Sequence, residues 1–144
     1  MTRKTREVAI FVYRGDLFLI ARRVPQGVWN VIAGQVEDGE SFSAAAAREL
    51  MEESGLSGVP INLGLPQTYV IEPEYLALYA PGESTVAIES FMIEAPSDWE
   101  PVLNHEHDTY RWCSAEESIA LLHWPETKEG LRAAAKLLRR GPSA

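Results

Sequence analysis

Glu49, Glu52 and Glu53 crowd into five residues directly after the four alanines at positions 44–47, in a chain that already carries a formal charge of -8. Residues three and four apart share one face of a helix, so this spacing projects all three carboxylates together while Ala47 and Leu50 turn toward a packing surface. Carboxylates held that close repel and raise one another's pKa, a cost that a hard divalent cation with oxygen ligands removes. The competing interpretation is a solvated acidic face, the usual role of charged stretches. The neighbours favour a site: Arg48 adjoins the cluster and can orient a carboxylate, Gly34 permits close backbone approach ahead of the helix, and Gly55 ends it.

The surrounding elements must position that helix. Val8 to Tyr13 and Leu17 to Ala21 are apolar runs separated by Arg14-Gly15-Asp16, which predicts a β-hairpin. Val28 to Ala33 reads as a brief extended piece ending at Gly34. Ser41 as N-cap, the alanines and Gly55 as the left-handed stop predict a helix over 42–54. Beyond it, Ile61 to Ile71, Tyr75 to Ala80, Thr85 to Ile93 and Tyr110 to Cys113 are expected strands. Ser114 and Glu117 form a capping box for a helix to about Leu122, and Pro125 opens a last helix with Leu131, Ala134, Ala135 and Leu138 at helical spacing. Strands, helix, strands, helices indicate a layered α/β domain with helices covering a mixed sheet.

Composition narrows the function. At 144 residues, with 46% hydrophobic and 24% charged residues, the chain is expected to be one domain over 1–144. Its acidity argues against a nucleic-acid duplex, whose phosphates need a broad basic surface; an anionic substrate would need a metal or a local arginine cluster. Cys113 is the only cysteine, which removes intrachain disulfides and cysteine-based zinc and fits a cytoplasmic setting. No apolar run approaches the length of a membrane span, the N-terminal apolar run is too short for a secretory signal, and no internal repeat is present.

Residues 34 to 56 resemble the signature of the Nudix hydrolase family: Gly34, five residues, Glu40, seven residues, Arg48-Glu49-Leu50, one residue, Glu52-Glu53, one residue, Gly55-Leu56. A chance match to so many fixed positions is on the order of one in ten million for a chain this long. Arg22-Arg23, Trp29, Tyr79-Ala80-Pro81-Gly82, Glu106-His107, Tyr110 and Trp112 are similar to the subgroup of bacterial nucleoside and dihydroneopterin triphosphate pyrophosphohydrolases. The resemblance implies a Nudix-type α/β/α sandwich, a mixed sheet with helices on both faces.

It also implies chemistry: Mg²⁺, with Mn²⁺ as a substitute, held by box glutamates and used to hydrolyse a phosphoric anhydride. Such a platform suits Mg²⁺, which keeps waters and shares ligation with phosphates. Carried over by position, Glu49, Glu52, Glu53 and the more distant Glu106 are the implied metal ligands. One of these glutamates, or another, would be the general base. Arg48 is implied to fix a box glutamate, and Glu40 to hold the loop rather than the metal. Ala33 is placed at the substrate, its backbone carbonyl or that of Gly34 within reach of a metal. Arg22 is the chosen phosphate contact, since guanidinium forks match phosphate oxygens, with Arg23 beside it as the other candidate. Trp29, Tyr69, Tyr75 and Trp124 are expected in core or rim packing, one of them free to stack on a base. His105 and His107 do not complete a zinc site with His123 so distant in sequence.

The expected activity is cleavage of a nucleoside or pterin triphosphate to a monophosphate and pyrophosphate by a monomer or homodimer that neither enters a membrane nor binds nucleic-acid duplexes. ADP-ribose hydrolysis is the main rival, because Pro73 lies seventeen residues after Leu56, near the position of a proline in such relatives. Dinucleoside polyphosphate hydrolysis and a non-catalytic nucleotide sensor complete the alternatives.

Overall fold

The structure is a computed structural model that describes residues 2–140; Met1 and residues 141–144, parts of the expected domain span, lie outside the described residues. Among the described residues the strands form one mixed eight-stranded sheet. Its centre is β1 (Arg6–Arg14), flanked by β7 (Thr85–Glu94) in parallel, with Arg6 to Tyr13 registered against Ala87 to Glu94. On the other side β1 divides its edge. Tyr13 and Arg14 pair with β2 (Leu17–Arg23) through the expected tight hairpin at Gly15, whereas Glu7 to Ile10 pair with β4 (Ile32–Gln35). The second strand then carries β3 (Val28–Asn30) on one edge and β8 (His107–Cys113) on the other.

Alternation along β1 explains the helices on both faces. Val8, Ile10 and Val12 point to one side and pack with Ala45, Ala46 and Leu50 of α1 (Phe42–Ser54). Ala9 and Phe11 point to the other side, against Leu122 and against Leu131 and Ala134 of α3 (Pro125–Arg140); α2 (Ala115–Leu121) packs beside them. Gly130 lets α3 sit close, since a Cβ there would lie 2.6 Å from Phe11 Cζ. A fully buried side chain such as Leu50 contributes about 1.5–3 kcal/mol relative to exposure. The expected sandwich with helices on both faces is therefore found.

The caps of α1 match their residues. Ser41 Oγ accepts from Ala44 N–H at 3.0 Å, and Gly55 adopts φ 80° while its N–H reaches the Met51 carbonyl. The capping box at Ser114 and Glu117 also forms.

Three expected elements differ. Tyr75 to Ala80 is not a strand but the end of a 3-10 helix over Pro73–Leu78, because Pro73 presets a helical φ at its first position. The run Ile61 to Ile71 breaks into β5 (Ile61–Asn62) and β6 (Gln67–Val70), since Gly64 turns at φ 70° and Pro66 lacks a donor. The piece Val28 to Ala33 divides at Val31, whose N–H is taken by Asn30 Oδ1 at 2.8 Å. None of the helices among the described residues is long and apolar enough to cross a membrane.

Candidate active site

The division of the β1 edge opens a gap between β4 and the end of β2, and α1 lays its acidic side over it. The three glutamates are not equivalent there. Glu53 is 1% exposed and Glu49 is also buried, whereas the Glu52 side chain is 53% exposed. Helical spacing brings them to one side, as expected, but the packing of α1 on β4 buries Glu49 and Glu53 and leaves Glu52 at the rim. Gly34 makes room for this: a Cβ at that position would stand 2.1 Å from the Glu49 carboxyl carbon.

Arg48 organises the cluster. Its Nε and Nη2 donate to the two Glu40 carboxylate oxygens at 2.8 and 2.9 Å, a bidentate fork, and Nη2 also donates to the Gln35 carbonyl at 3.0 Å. Its Nη1 donates to Glu49 Oε1 at 2.9 Å and Glu52 Oε2 at 3.3 Å. Glu40 Oε1 in turn accepts from the Glu37 N–H. Hydrogen bonding by the guanidinium holds Glu40 down to about pH 2 and pushes Arg48 above its usual value. Glu40 therefore ties the 37–40 loop to α1 through Arg48.

Glu53 stands in the opposite condition. Burial first, then the Glu49 and Glu106 carboxylates, push its pKa up to about 10. The Ala33 N–H, on the open edge of β4, donates to Glu53 Oε1 at 3.5 Å; buried Oε2 has no hydrogen-bond partner. An orphaned buried carboxylate oxygen beside two further carboxylates fits a hard divalent cation by the chemistry of its donors. Among the described residues, no three Asp, Glu, His or Cys side chains already stand together as a ligand set. Arg48 Nη1 donates to both Glu49 and Glu52.

Arg22 and Arg23, adjacent on β2, point to opposite faces. Arg22 departs from expectation: its Nη2 lies 2.5 Å from Asp108 on the exposed side, and it does not line the cavity. Arg23 faces the cavity, with Nη2 3.6 Å from Glu106 Oε1. A bulge between Arg22 and Arg23 in the pairing with β8 sets this apart, since Asp108 is skipped in the register. His105 is exposed while His107 is buried with both ring nitrogens unpartnered, so the two do not form a pair.

The carboxylates border one large cavity of about 1280 Å³ that runs across the α3 face of the sheet. Ala33 and Glu106 line it. Tyr69, Tyr75 and Trp124 also line it, while Trp29 packs in the core with Arg111 over its ring. Sequence reasoning missed Glu7, Arg3 and Asn30, which share this cavity. A signal existed for Glu7: it falls in phase with Ala9 and Phe11, a carboxylate on an otherwise apolar face of a central strand.

Comparisons with known proteins agree with this architecture. The NUDIX domain model matches residues 3–134. An octanoyltransferase of Myxococcus xanthus is 32% identical over 139 residues, 91% of this chain, which spans only 36% of that protein's length. A CTP pyrophosphohydrolase of Escherichia coli is 31% identical over 116 residues, 78% of this chain and 77% of that protein. In fold, the E. coli dihydroneopterin triphosphate pyrophosphohydrolase superposes with a TM-score of 0.85 at 22% identity, covering 95% of this chain and 99% of its own. A family model over nearly the whole chain, on a sandwich whose acidic helix borders the sheet's open gap, places this protein in the Nudix hydrolase family.

Proposed function

We propose that the protein is a divalent-metal-dependent pyrophosphohydrolase that cleaves a nucleoside or pterin triphosphate, with water, to a monophosphate and pyrophosphate. The observation that carries the reading is Glu53: a buried carboxyl with an orphaned oxygen, flanked by Glu49 and Glu106, at the edge of a cavity large enough for a nucleotide. Glu49, Glu53 and Glu106 would hold the cation, with Glu52 joining from the rim. Mg²⁺ or Mn²⁺ bound there would neutralise phosphate charge and acidify a water. Arg48, anchored by Glu40, orients Glu49 and Glu52. Arg23 supplies a fixed positive charge beside Glu106 for a phosphate oxygen, the role first given to Arg22. Glu53 would hold the cation as a carboxylate, with the Ala33 N–H positioning its Oε1.

The CTP pyrophosphohydrolase among the relatives supports a nucleoside triphosphate. The test is product analysis by mass spectrometry over NTPs, dNTPs, dihydroneopterin triphosphate, ADP-ribose and diadenosine tetraphosphate, with Mg²⁺, with Mn²⁺ and with chelator. Metal-dependent release of pyrophosphate and a monophosphate supports the reading. Cleavage of ADP-ribose or the dinucleotide alone moves the chain to those substrates, and binding without turnover makes it a sensor.

A further inference from the structure

On β1, in the same cavity, stands a half-buried carboxylate that the hydrolytic reading does not use. Glu7 pairs in register with Gln35 of β4 and Ile88 of β7, and its side chain is 19% exposed. It lies on the same sheet face as Ala9, which pairs with Ala33, so it sits one side-chain step, about 6.6 Å along the strand, from the position opposite Ala33. Tyr69 donates its hydroxyl proton to Glu7 Oε1 at 3.1 Å. Arg3 Nη2 donates to Oε2 at 3.3 Å, and Arg3 Nε donates to the Tyr79 hydroxyl at 3.4 Å. These bonds fix the plane of the carboxylate and use one lone pair on each oxygen. The second lone pair of each remains for a ligand.

We propose that Glu7 is a specificity-determining residue of this cavity, its two oxygens accepting from a ring N–H and the adjacent exocyclic amino group. That edge is the 2-amino-4-oxo pattern, which guanine and pterins share. Cytosine and adenine instead set a donor beside an acceptor, and a carboxylate facing them leaves one pair of lone pairs opposed. Small Ala9 and apolar Ile88 line the cavity beside Glu7, and Trp124, which also lines it, carries a ring able to stack on a base. Burial pushes the Glu7 carboxyl upward while Arg3 and Tyr69 pull it back. Two donated hydrogen bonds from a ring would compensate the lost hydration.

The inference rests on the proposed hydrolysis for its substrate, so its test has two arms. In the first, kcat/KM is measured for GTP, dihydroneopterin triphosphate, CTP and ATP with the wild-type protein, Glu7→Gln and Tyr69→Phe. Gln keeps the shape and an acceptor for Tyr69 but turns one oxygen into a donor. The ratio of GTP to CTP should fall roughly 10- to 100-fold in Glu7→Gln, mainly through KM, and by less in Tyr69→Phe. An equal loss on all four substrates would overturn the proposal in favour of a structural network. In the second arm, equilibrium dialysis measures guanosine and cytidine binding to the metal-free protein. Preference for guanosine that disappears in Glu7→Gln supports the assignment even if the wild-type protein hydrolyses nothing; equal binding of both nucleosides overturns it.

Discussion

Glu53→Gln in the metal-free protein offers a direct reading of the site's electrostatics. Glu53 has its pKa raised from 4.5 to about 10 by burial and by Glu49 and Glu106. The folded protein therefore keeps a proton that the unfolded chain releases above about pH 4.5. The stabilisation is fully present below the unfolded value and is lost as pH rises toward the folded one. In that window one extra proton on the native state gives a slope of about -1.4 kcal/mol per pH unit. From about pH 6.5 to 8.5 the Glu53 contribution falls by about 2.7 kcal/mol, a large share of a typical stability. At roughly 3 to 5 °C per kcal/mol for a chain of this size, that is a Tm loss of about 10 °C. Gln keeps the shape without the titration, so the variant should lack this loss. The assay is thermal unfolding in chelator across this pH range, the readout being the difference between the two proteins, in which their other titrations cancel. Mg²⁺ should restore wild-type stability at high pH by binding the native state, by about 2.7 kcal/mol at 100 times its Kd, and should do little for the variant. Parallel pH curves for the two proteins would refute the burial argument and, with it, Glu53 as the centre of the site.

Gly34→Ala brings a Cβ to 2.1 Å from the Glu49 carboxyl carbon, so Glu49 must move; we expect a fall of roughly 100-fold in kcat/KM with a stability cost of about 1–3 kcal/mol, read by kinetics and denaturant unfolding. Arg23→Ala should raise KM roughly 10- to 100-fold through a lost charge-assisted phosphate contact, whereas Arg22→Ala, which removes only the exposed pairing with Asp108, should stay within about 2-fold of wild type. The reverse ranking in steady-state assays would restore Arg22 as the phosphate residue. Leu50→Ala, beneath the carboxylates and fully buried, should cost about 2–5 kcal/mol in denaturant unfolding.

The acidic helix was legible in the sequence down to its caps, because Ser41, the alanines and Gly55 act locally and the glutamate spacing is a property of one helix. The layered fold was legible for the same reason: strand and helix periods, and the capping box at Ser114, are short-range signals. What lay beyond reach depended on neighbours far along the chain. Which arginine faces the cavity is decided by the seat of β2 between β3 and β8, which sets Arg22 beside Asp108 and Arg23 beside Glu106. Local spacing gave Glu49, Glu52 and Glu53 equal standing; only the seat of α1 against β4 and the absence of a Cβ at Gly34 bury two of them and leave Glu52 in water. Glu7 and Tyr69 meet across 62 residues of sequence, and no local pattern joins them. The sequence by itself determined which groups can do chemistry, because residue type and helical period are written locally. Their burial, and so their charge and their facing, belongs to the tertiary structure, because desolvation is a property of everything packed around a group.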